Sequence, residues 1–291
     1  MDTLTAWLTK VRSLLAPALL HCLICGKTSR PAAGLHGICA GCEEAIPWIR
    51  QPRCQKCGRH VGCPDCSRSG QAVPIVCNRS AVAYTSVMRE MLGQYKYRGN
   101  EQLAPLLGSM LDRAYIRLKA ERERGQQGTA EIQKAESAFT GPFFPGIQSA
   151  RNRRWQADLL VPVPVSESRF VERGFNQAER LADVLSGRRG IPQLPLLVRT
   201  HHTGKQSFKH RAERIADMKH AFAGNPDGAV LLQFEVWLET LGKRTRPLQI
   251  IIVDDIYTTG STIRACAETI RTLCNDYGKV AEIYSLTWAR S

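Results

Sequence analysis

Four Cys-x-x-Cys pairs near the amino terminus limit what this part of the chain can fold into. The surrounding stretch is rich in Gly and Pro and has little hydrophobic periodicity, which is typical of a small module held together by metal instead of an apolar core. The pairs are Cys22 with Cys25, Cys39 with Cys42, Cys54 with Cys57, and Cys63 with Cys66.

A Cys-x-x-Cys turn presents two thiolates to one ion, and two such turns complete the tetrahedral sulfur site that zinc accepts. Eight ligands predict two structural zinc ions, most simply one for each consecutive group of four, although an interleaved pairing serves the chemistry equally well. Gly26 and Gly58 directly follow a pair and suit a tight knuckle. The alternative is a redox dithiol, but such a site uses one pair at a strand-to-helix turn. Cys77, Cys266 and Cys274 lie outside the pairs and are expected to be ordinary buried cysteines.

The amino-terminal segment is apolar but does not have the pattern of a signal peptide, because Lys10 and Arg12 interrupt it and no clean cleavage site follows. No other stretch approaches the roughly 18 uncharged apolar residues of a membrane span. We therefore expect a cytoplasmic protein, in which clustered thiols bind metal more often than they form disulfides. The spacing of apolar residues from Leu4 to Leu19 predicts an amphipathic helix over residues 1–21, packed on the protein itself, on a partner or on a membrane surface.

The chain is basic, with 40 Lys and Arg against 26 Asp and Glu and a formal net charge of +14. Such an excess favours polyanionic partners such as nucleic acid or phosphorylated small molecules, although solubility alone is the alternative. Basic clusters lie at residues 151–154, 188–189, 209–211 and 243–246, where they could follow the backbone of single-stranded DNA. Phe170, Phe175 and Phe208 lie among basic residues and could stack bases; core aromatics and solvated charges are the plainer interpretation.

Beyond residue 74 the patterns of strands and helices alternate. Apolar strands are expected near residues 75–84, 157–165, 248–255 and 280–289, with helices between them. This order predicts an α/β domain with a mainly parallel sheet, whose ligand site lies at the carboxyl ends of the strands. Two segments stand apart, because residues 117–154 resemble a solvated insertion and residues 227–246 contain an amphipathic helix with no evident place.

The most specific motif is Ile250 to Ile263, in which an apolar strand delivers Asp254 and Asp255 to its end and a Thr/Gly loop leads into a helix. Backbone N–H groups of the loop, hydroxyl groups and the helix dipole can together hold a phosphate, and the two carboxylates can accept hydrogen bonds from the ribose that carries it. An ordinary capped helix after a strand does not explain the paired carboxylates. The loop residues are Tyr257, Thr258, Thr259, Gly260, Ser261 and Thr262.

This segment resembles the phosphoribosyl pyrophosphate (PRPP) signature of type I phosphoribosyltransferases. Together with the cysteine pairs and the segments KYRGN (96–100), LVPVPVSESRFVERGFNQAERLA (160–182) and RTHHTGKQSFKHRAERIADMKHAF (199–222), it closely resembles the ComF competence family over nearly the whole chain. The resemblance implies a double zinc-ribbon module over residues 22–73. It also implies a type I phosphoribosyltransferase-like domain over residues 74–291, with a mainly parallel sheet flanked by helices.

Under this resemblance, Asp254 and Asp255 would hold the ribose hydroxyls and residues 257–262 the 5-phosphate. Arg169 and Arg173 follow the strand near residue 161 and are candidates to meet the pyrophosphate, since a guanidinium matches phosphate oxygens bidentately. Mg²⁺ is expected to bridge that pyrophosphate. A stretch that matches the mobile loop closing over the site contains Lys205, Gln206 and Arg211. No residue is assigned as catalytic.

Three functions follow from these observations. The first is a ComF-type role in natural competence, supporting uptake or processing of transforming single-stranded DNA, with a pocket for PRPP or a related phosphoribosyl compound and an association with the DNA-uptake machinery at the membrane. The second is an active phosphoribosyltransferase in nucleotide salvage, although no base-recognition signature is evident. The third is a non-catalytic adaptor, in which the zinc module and the amino-terminal helix recruit a DNA helicase.

Overall fold

The computed structural model describes residues 19–63, 66, 74–97, 99–137, 155–200, 221–242, 244 and 246–291. The predicted amphipathic helix from Leu4 to Leu19 therefore falls almost wholly outside the described residues, as do residues 138–154 and the predicted loop residues Lys205, Gln206 and Arg211. Within the described part of the chain, no helix is long and apolar enough to cross a membrane.

The elements alternate along most of the chain. The strands are β1 (Leu20–His21), β2 (Thr28–Ser29), β3 (Asn78–Ala83), β4 (Leu159–Pro162), β5 (Leu197–Arg199), β6 (Phe222–Gly224), β7 (Leu248–Tyr257) and β8 (Ala281–Arg290). The helices are α1 (Ala40–Glu44), α2 (Ser86–Tyr97), α3 (Ala104–Ser137), α4 (Glu167–Arg173), α5 (Gln177–Arg189), α6 (Gly228–Thr240) and α7 (Ser261–Asp276), with a 3₁₀ turn at Glu101–Leu103 before α3.

Four strands form the central sheet in the order β3-β8-β7-β4, and every pair in it is parallel. The apolar run of β7 is buried on both faces, as expected for an inner strand of a parallel sheet. The predicted α/β class with a mainly parallel sheet is therefore confirmed, and the carboxyl ends of β4 and β7 lie side by side because Pro162 pairs with Val253.

Helices cover both faces of this sheet. The apolar residues of α2, α3 and α5 form one core with alternate residues of β7 and β8, such as Ile251 and Tyr284. Helices α6 and α7 form the second core on the opposite face, with Ile250 and Ile252. The cysteine module contributes Leu35 and Ile38 to the first core, so it packs directly on the α/β layer.

Two segments that the sequence set apart belong to the folded body. Helix α3 continues past residue 117, and Leu118 is fully buried in the first core, so the expected solvated insertion does not begin there. Helix α6 fills much of segment 227–246 and buries Phe234, whose ring meets that of Tyr277 edge-on with 5.3 Å between centroids. Apolar residues at helical spacing gave both helices a face to bury.

A short antiparallel pair was not predicted. Strands β5 and β6 join Leu197 to Gly224 and Arg199 to Phe222. They therefore bring together the two ends of the segment that contains the predicted mobile loop. Arg199 lies at the first of these two ends.

Candidate functional site

The eight paired cysteines form two groups, Cys22, Cys25, Cys39 and Cys42, and Cys54, Cys57, Cys63 and Cys66. Within each group the four sulfur atoms lie within 4.8 Å of one another, so the consecutive arrangement is found and the interleaved one is not. Sulfur atoms on a tetrahedral zinc ion with 2.3 Å bonds lie about 3.8 Å apart. The measured separations of 3.9 Å for Cys25–Cys39 and 3.4 Å for Cys57–Cys63 are close to this value, so the two clusters could hold two structural zinc ions.

The local backbone explains why these turns can present two sulfur atoms. In the second cluster, Cys54 N–H donates to the Arg59 carbonyl and Gly58 N–H donates to the Cys54 carbonyl, both at 3.0 Å, and the first knuckle of the other cluster repeats both bonds. These turns need a left-handed residue, and Gly26 and Gly58 supply it with φ angles of +70° and +72°. The predicted role of both glycines is confirmed.

A pocket of about 510 Å³ lies at the carboxyl ends of β4 and β7. The structure brings together residues that the sequence placed in one site, because Arg169 and Arg173 of α4 line the pocket with Thr258 and Thr262 of the loop after β7. The charged residues on its wall are Lys96, Arg169, Arg173, Arg199, Asp254 and Asp255. Among the described residues, four cations against two carboxylates give the pocket wall a net positive charge.

The two carboxylates differ in their surroundings. Asp255 pairs with Lys96 at 2.6 Å between Oδ2 and Nζ, and both side chains are largely buried. Asp255 also donates its backbone N–H to Asp254 Oδ1 at 2.8 Å. Burial first, and then the charge of Asp255, raise the pKa of Asp254 to about 7. The carboxyl of Asp254 is therefore protonated in a larger fraction of molecules near neutral pH than an ordinary Asp.

Two of the four pocket cations were not predicted as site residues. Lys96 was noticed only as part of the KYRGN segment, and Arg199 only as the start of the predicted loop. Lys96 lies at the end of α2 and Arg199 at the end of β5, so only the tertiary structure brings them to Asp254 and Asp255. Burial lowers the pKa of Arg199.

Among the described residues, only part of the Arg173 guanidinium has a hydrogen-bond partner. Its Nη1 donates to Gln177 Oε1 at 2.6 Å, and its guanidinium lies 5.3 Å from the centre of the Tyr97 ring. Its Nε is buried without a hydrogen-bond partner among the described residues. A buried donor on a pocket wall costs free energy unless a ligand or water accepts from it, so this atom fits an anionic ligand.

The loop after β7 combines a left-handed glycine with exposed hydroxyl groups. Gly260 has a φ of +80° and begins the capping of α7, and a Cβ atom there would lie 2.1 Å from the Tyr257 hydroxyl oxygen. Thr258 and Thr259 are exposed, and Thr259 Oγ1 lies 3.1 Å from Ser261 Oγ. The hydroxyls thus collect at the start of a four-turn helix, where N–H groups and the helix dipole favour anions.

Two of the basic clusters are already engaged inside the protein. Arg188 and Arg189 share the buried carboxylate of Asp112, with Nε to oxygen distances of 3.0 and 2.5 Å. Arg244 and Arg246 share Asp158 in the same way, at 2.6 and 2.7 Å. These arginines therefore hold tertiary structure. The clusters at 151–154 and 209–211, together with Lys243, fall outside the described residues.

The proposed stacking aromatics also separate. Phe175 is buried and packs against Tyr95 with 5.2 Å between ring centroids, so its assignment to a stacking surface is wrong. Phe170 is about half exposed on α4, whereas Phe208 lies outside the described residues.

Comparison with known proteins agrees with this combination of features. No family model matches the chain. It is 27% identical over 262 residues to "Competence protein ComFC" of Bacillus subtilis (strain 168), covering 87% of this chain and 84% of that protein. It is 23% identical over 248 residues to "Competence protein F" of Haemophilus influenzae, covering 82% and 86%. It is 26% identical over 244 residues to "DNA utilization protein YhgH" of Escherichia coli (strain K12), again covering 82% and 86%.

These likenesses each span more than four fifths of both chains, and two paired-cysteine clusters accompany a parallel α/β sheet with a pocket at its carboxyl edge. Over most of its length the chain is therefore similar to competence proteins of the ComF type.

Proposed function

We propose that this protein acts in natural competence, where it supports the uptake or processing of transforming single-stranded DNA and binds PRPP or a related phosphoribosyl compound. The names of its relatives refer to competence and to DNA utilization, which supports the first part. The pocket supports the second part, and the observation that carries it is the meeting of paired carboxylates, a hydroxyl-rich loop and four cations around one cavity.

Each part of PRPP has a matching group on the pocket wall. The loop 257–262 and the start of α7 would hold the 5-phosphate, and the carboxylates of Asp254 and Asp255 would accept hydrogen bonds from the ribose hydroxyls. Arg169 and Arg173 would meet the pyrophosphate as bidentate donors. Mg²⁺ bound together with PRPP would neutralise part of the pyrophosphate charge, since this ion favours phosphate oxygens and carboxylates.

Lys96 has a positioning role in this proposal. Its ion pair with Asp255 fixes that carboxylate at the pocket wall, where the carboxylate can accept hydrogen bonds. Asp254 has no such partner at 2.6 Å and is raised in pKa, so binding of a ribose hydroxyl and a nearby cation would favour its ionised form. PRPP binding would therefore release part of a proton near neutral pH.

Calorimetry with PRPP and Mg²⁺ tests the pocket. Thr258→Val removes a pocket hydroxyl in the loop before α7, and Thr272→Val removes an exposed hydroxyl near the far end of α7, so the second variant is the matched control. A hydrogen bond to a charged group contributes about 1.5–3 kcal/mol, so Thr258→Val and Asp255→Asn should weaken binding roughly 10- to 100-fold. Equal affinities for the wild type and all three variants would remove the proposal.

An active phosphoribosyltransferase is the second candidate, and the same meeting of carboxylates, hydroxyls and cations around one cavity supports it. It differs from a binding protein in one measurable way, which is pyrophosphate release from bound PRPP in the presence of a nucleobase. Release that disappears in Asp255→Asn would make the protein an enzyme, and binding without release would leave it a PRPP-binding protein.

Single-stranded DNA would meet a different surface. A groove of about 430 Å³ lies between α3 and the turn that joins Cys54 to Cys57. Lys56, Arg122 and Arg124 line it. Lys56 and Arg124 are exposed, unlike Arg79 in the same groove, which pairs with Glu121 at 2.6 Å. Cations that are not engaged in ion pairs are better placed to contact a phosphate backbone.

Gel shifts with single-stranded DNA over a salt series test this groove. Replacing Lys56 and Arg124 with Ala should weaken binding and make the dependence on salt less steep, because each lost phosphate contact removes about 0.7 from the slope for single strands. Arg188→Ala is the control, since this arginine is engaged with Asp112. Loss of binding in the control but not in the double variant would contradict the proposed surface.

A further inference from the structure

Arg290 joins the second cysteine cluster to the loop after β7. It lies at the end of β8, and the residue is only 1% exposed. On one side its Nε donates to the Cys57 carbonyl at 3.1 Å and its Nη2 lies 3.3 Å from Cys57 Sγ. On the other side its Nη1 donates to the carbonyls of Tyr257 and Thr258 at 3.0 and 2.9 Å. One guanidinium thus contacts a cysteine of the cluster and the first residues of the loop.

The chemistry of this side chain makes the link rigid. A guanidinium is a planar fork with five donors in fixed directions, so its two ends cannot move independently. The donor to Cys57 Sγ approaches an atom that would bind zinc, and groups that donate to a metal ligand orient it. Asn78 Nδ2 also donates to the Cys57 carbonyl at 3.1 Å, so the knuckle is fixed against β3 as well.

On the loop side the contact reaches beyond the two carbonyls. The Arg290 guanidinium lies 4.8 Å from the centre of the Tyr257 ring, which is buried. The hydroxyl of that ring lies where a Cβ atom on Gly260 would be, so the ring packs tightly against the glycine of the loop. Movement of Arg290 would therefore shift both the backbone at Thr258 and the ring that supports Gly260.

The first cluster is anchored elsewhere. Glu43 of α1 pairs with Arg113 of α3 at 2.7 Å, and the Arg113 guanidinium lies 4.5 Å from the centre of the Trp48 ring. These contacts join the first cluster to the helical face of the molecule and not to the loop after β7. The two clusters thus differ in what their metal would support.

We propose that Arg290 is a positioning residue for the loop after β7, residues 257–262. Metal in the cluster of Cys54, Cys57, Cys63 and Cys66 fixes this loop through the Arg290 side chain. Loss of that metal releases the loop, whereas loss of metal from the first cluster does not. The consequence for ligand affinity rests on the proposed binding of PRPP, but the ordering of the loop does not depend on any ligand.

Hydrogen exchange of the zinc-loaded full chain, measured without ligand, tests the link. Arg290→Lys keeps the charge and removes the fork, and Cys63→Ser removes one ligand of the second cluster. Amides of residues 257–262 should exchange about tenfold faster or more in both variants, since a hydrogen bond to a charged group is lost. Amides of residues 250–253, in the buried part of β7, should exchange at the wild-type rate.

Two matched controls accompany these variants. Arg79→Lys alters another buried arginine, which lies on β3, donates to the Gln55 carbonyl of the same turn at 3.0 Å and faces α3. Cys25→Ser removes a ligand of the first cluster. Neither control should change exchange at residues 257–262, and zinc content should fall in the two cysteine variants only.

The proposal is overturned if exchange at residues 257–262 is unchanged in Arg290→Lys and Cys63→Ser, or if it rises equally in the controls or in residues 250–253. Should Arg290→Lys fail to fold, Cys63→Ser against Cys25→Ser decides alone. A wild-type protein that does not bind PRPP would remove the proposed function and leave this comparison of exchange rates valid. A wild-type protein that binds PRPP with unchanged loop exchange in the variants would remove only the link.

Discussion

Replacing Asp254 with Asn should change how the stability of the protein depends on pH. Burial, followed by the charge of Asp255, raises the pKa of Asp254 from an ordinary value of 3.8 to about 7. Between these two values the folded protein holds a proton that the unfolded chain releases. The free energy of unfolding must therefore fall as the pH rises from about 4 to 7, and it stays at the lower level above pH 7.

The size of the effect follows from the shift. One pKa unit corresponds to about 1.4 kcal/mol, so the rise from pH 5 to pH 8, through the folded pKa, should remove about 3 kcal/mol of stability through this single carboxyl. The charges of Lys96 and Arg199 lower the pKa of Asp254, and the value of about 7 already includes their effect. An Asn side chain cannot ionise, so the Asp254→Asn protein should not show this loss and should gain up to about 3 kcal/mol relative to wild type between pH 5 and pH 8.

Urea unfolding at pH 5, 6, 7 and 8, with zinc in excess, measures this difference. Asp112→Asn is the control, because it removes a buried carboxylate that two arginines share and should lower stability at every pH in this range. Parallel pH curves for wild type and Asp254→Asn would refute the reasoning, since they would mean that Asp254 ionises as easily in the folded protein as in the unfolded chain.

Three further results are expected. Gly108→Ala should lower the free energy of unfolding in urea by about 1–3 kcal/mol, because its Cβ atom would lie 2.5 Å from Val184 where α3 meets α5. Gly125→Ala on the same helix has open space and should raise stability by about 0.5–1 kcal/mol, and a shift of both variants in one direction would contradict this packing. Gly260→Ala should weaken PRPP binding at least tenfold in calorimetry, because its positive φ and the nearby Tyr257 ring both exclude a methyl group. Chelation should release about two zinc ions per chain and lower the melting temperature, as metal analysis and thermal unfolding would show; release without any fall would contradict structural zinc.

The sequence was sufficient where a local pattern determines a local structure. Strand β7 is a continuous apolar run, the loop after it carries its own glycine and hydroxyls, and the knuckles at Cys22 and Cys54 close within a few residues. In each case the signal and the structure occupy the same short stretch, so spacing and residue type predicted them. The pairing of cysteines into two clusters needed the structure, because the spacing allowed either arrangement.

Contacts between residues far apart in the sequence could not be predicted from spacing and residue type. Lys96 meets Asp255 only after α2 packs beside the sheet, and Asp112 meets Arg188 across two helices. Clusters of arginine therefore look like free surface charge until their partners are placed. Phe175 was misjudged for the same reason, because its basic neighbours in sequence are not its neighbours in the core.

The carboxylates of Asp112 and Asp158, each shared by two arginines, fix these side chains without cancelling all of their positive charge. Each one neutralises a single arginine of its pair, so each site keeps one excess charge while its side chains are held in place. Such fixed charges act on a polyanion over a Debye length of about 8–10 Å without touching it. If the proposed binding of single-stranded DNA holds, these charges would speed the encounter with the strand, and the residues that contact it would determine how long it stays. The basic character of this chain would therefore be expressed in association rates that fall with salt.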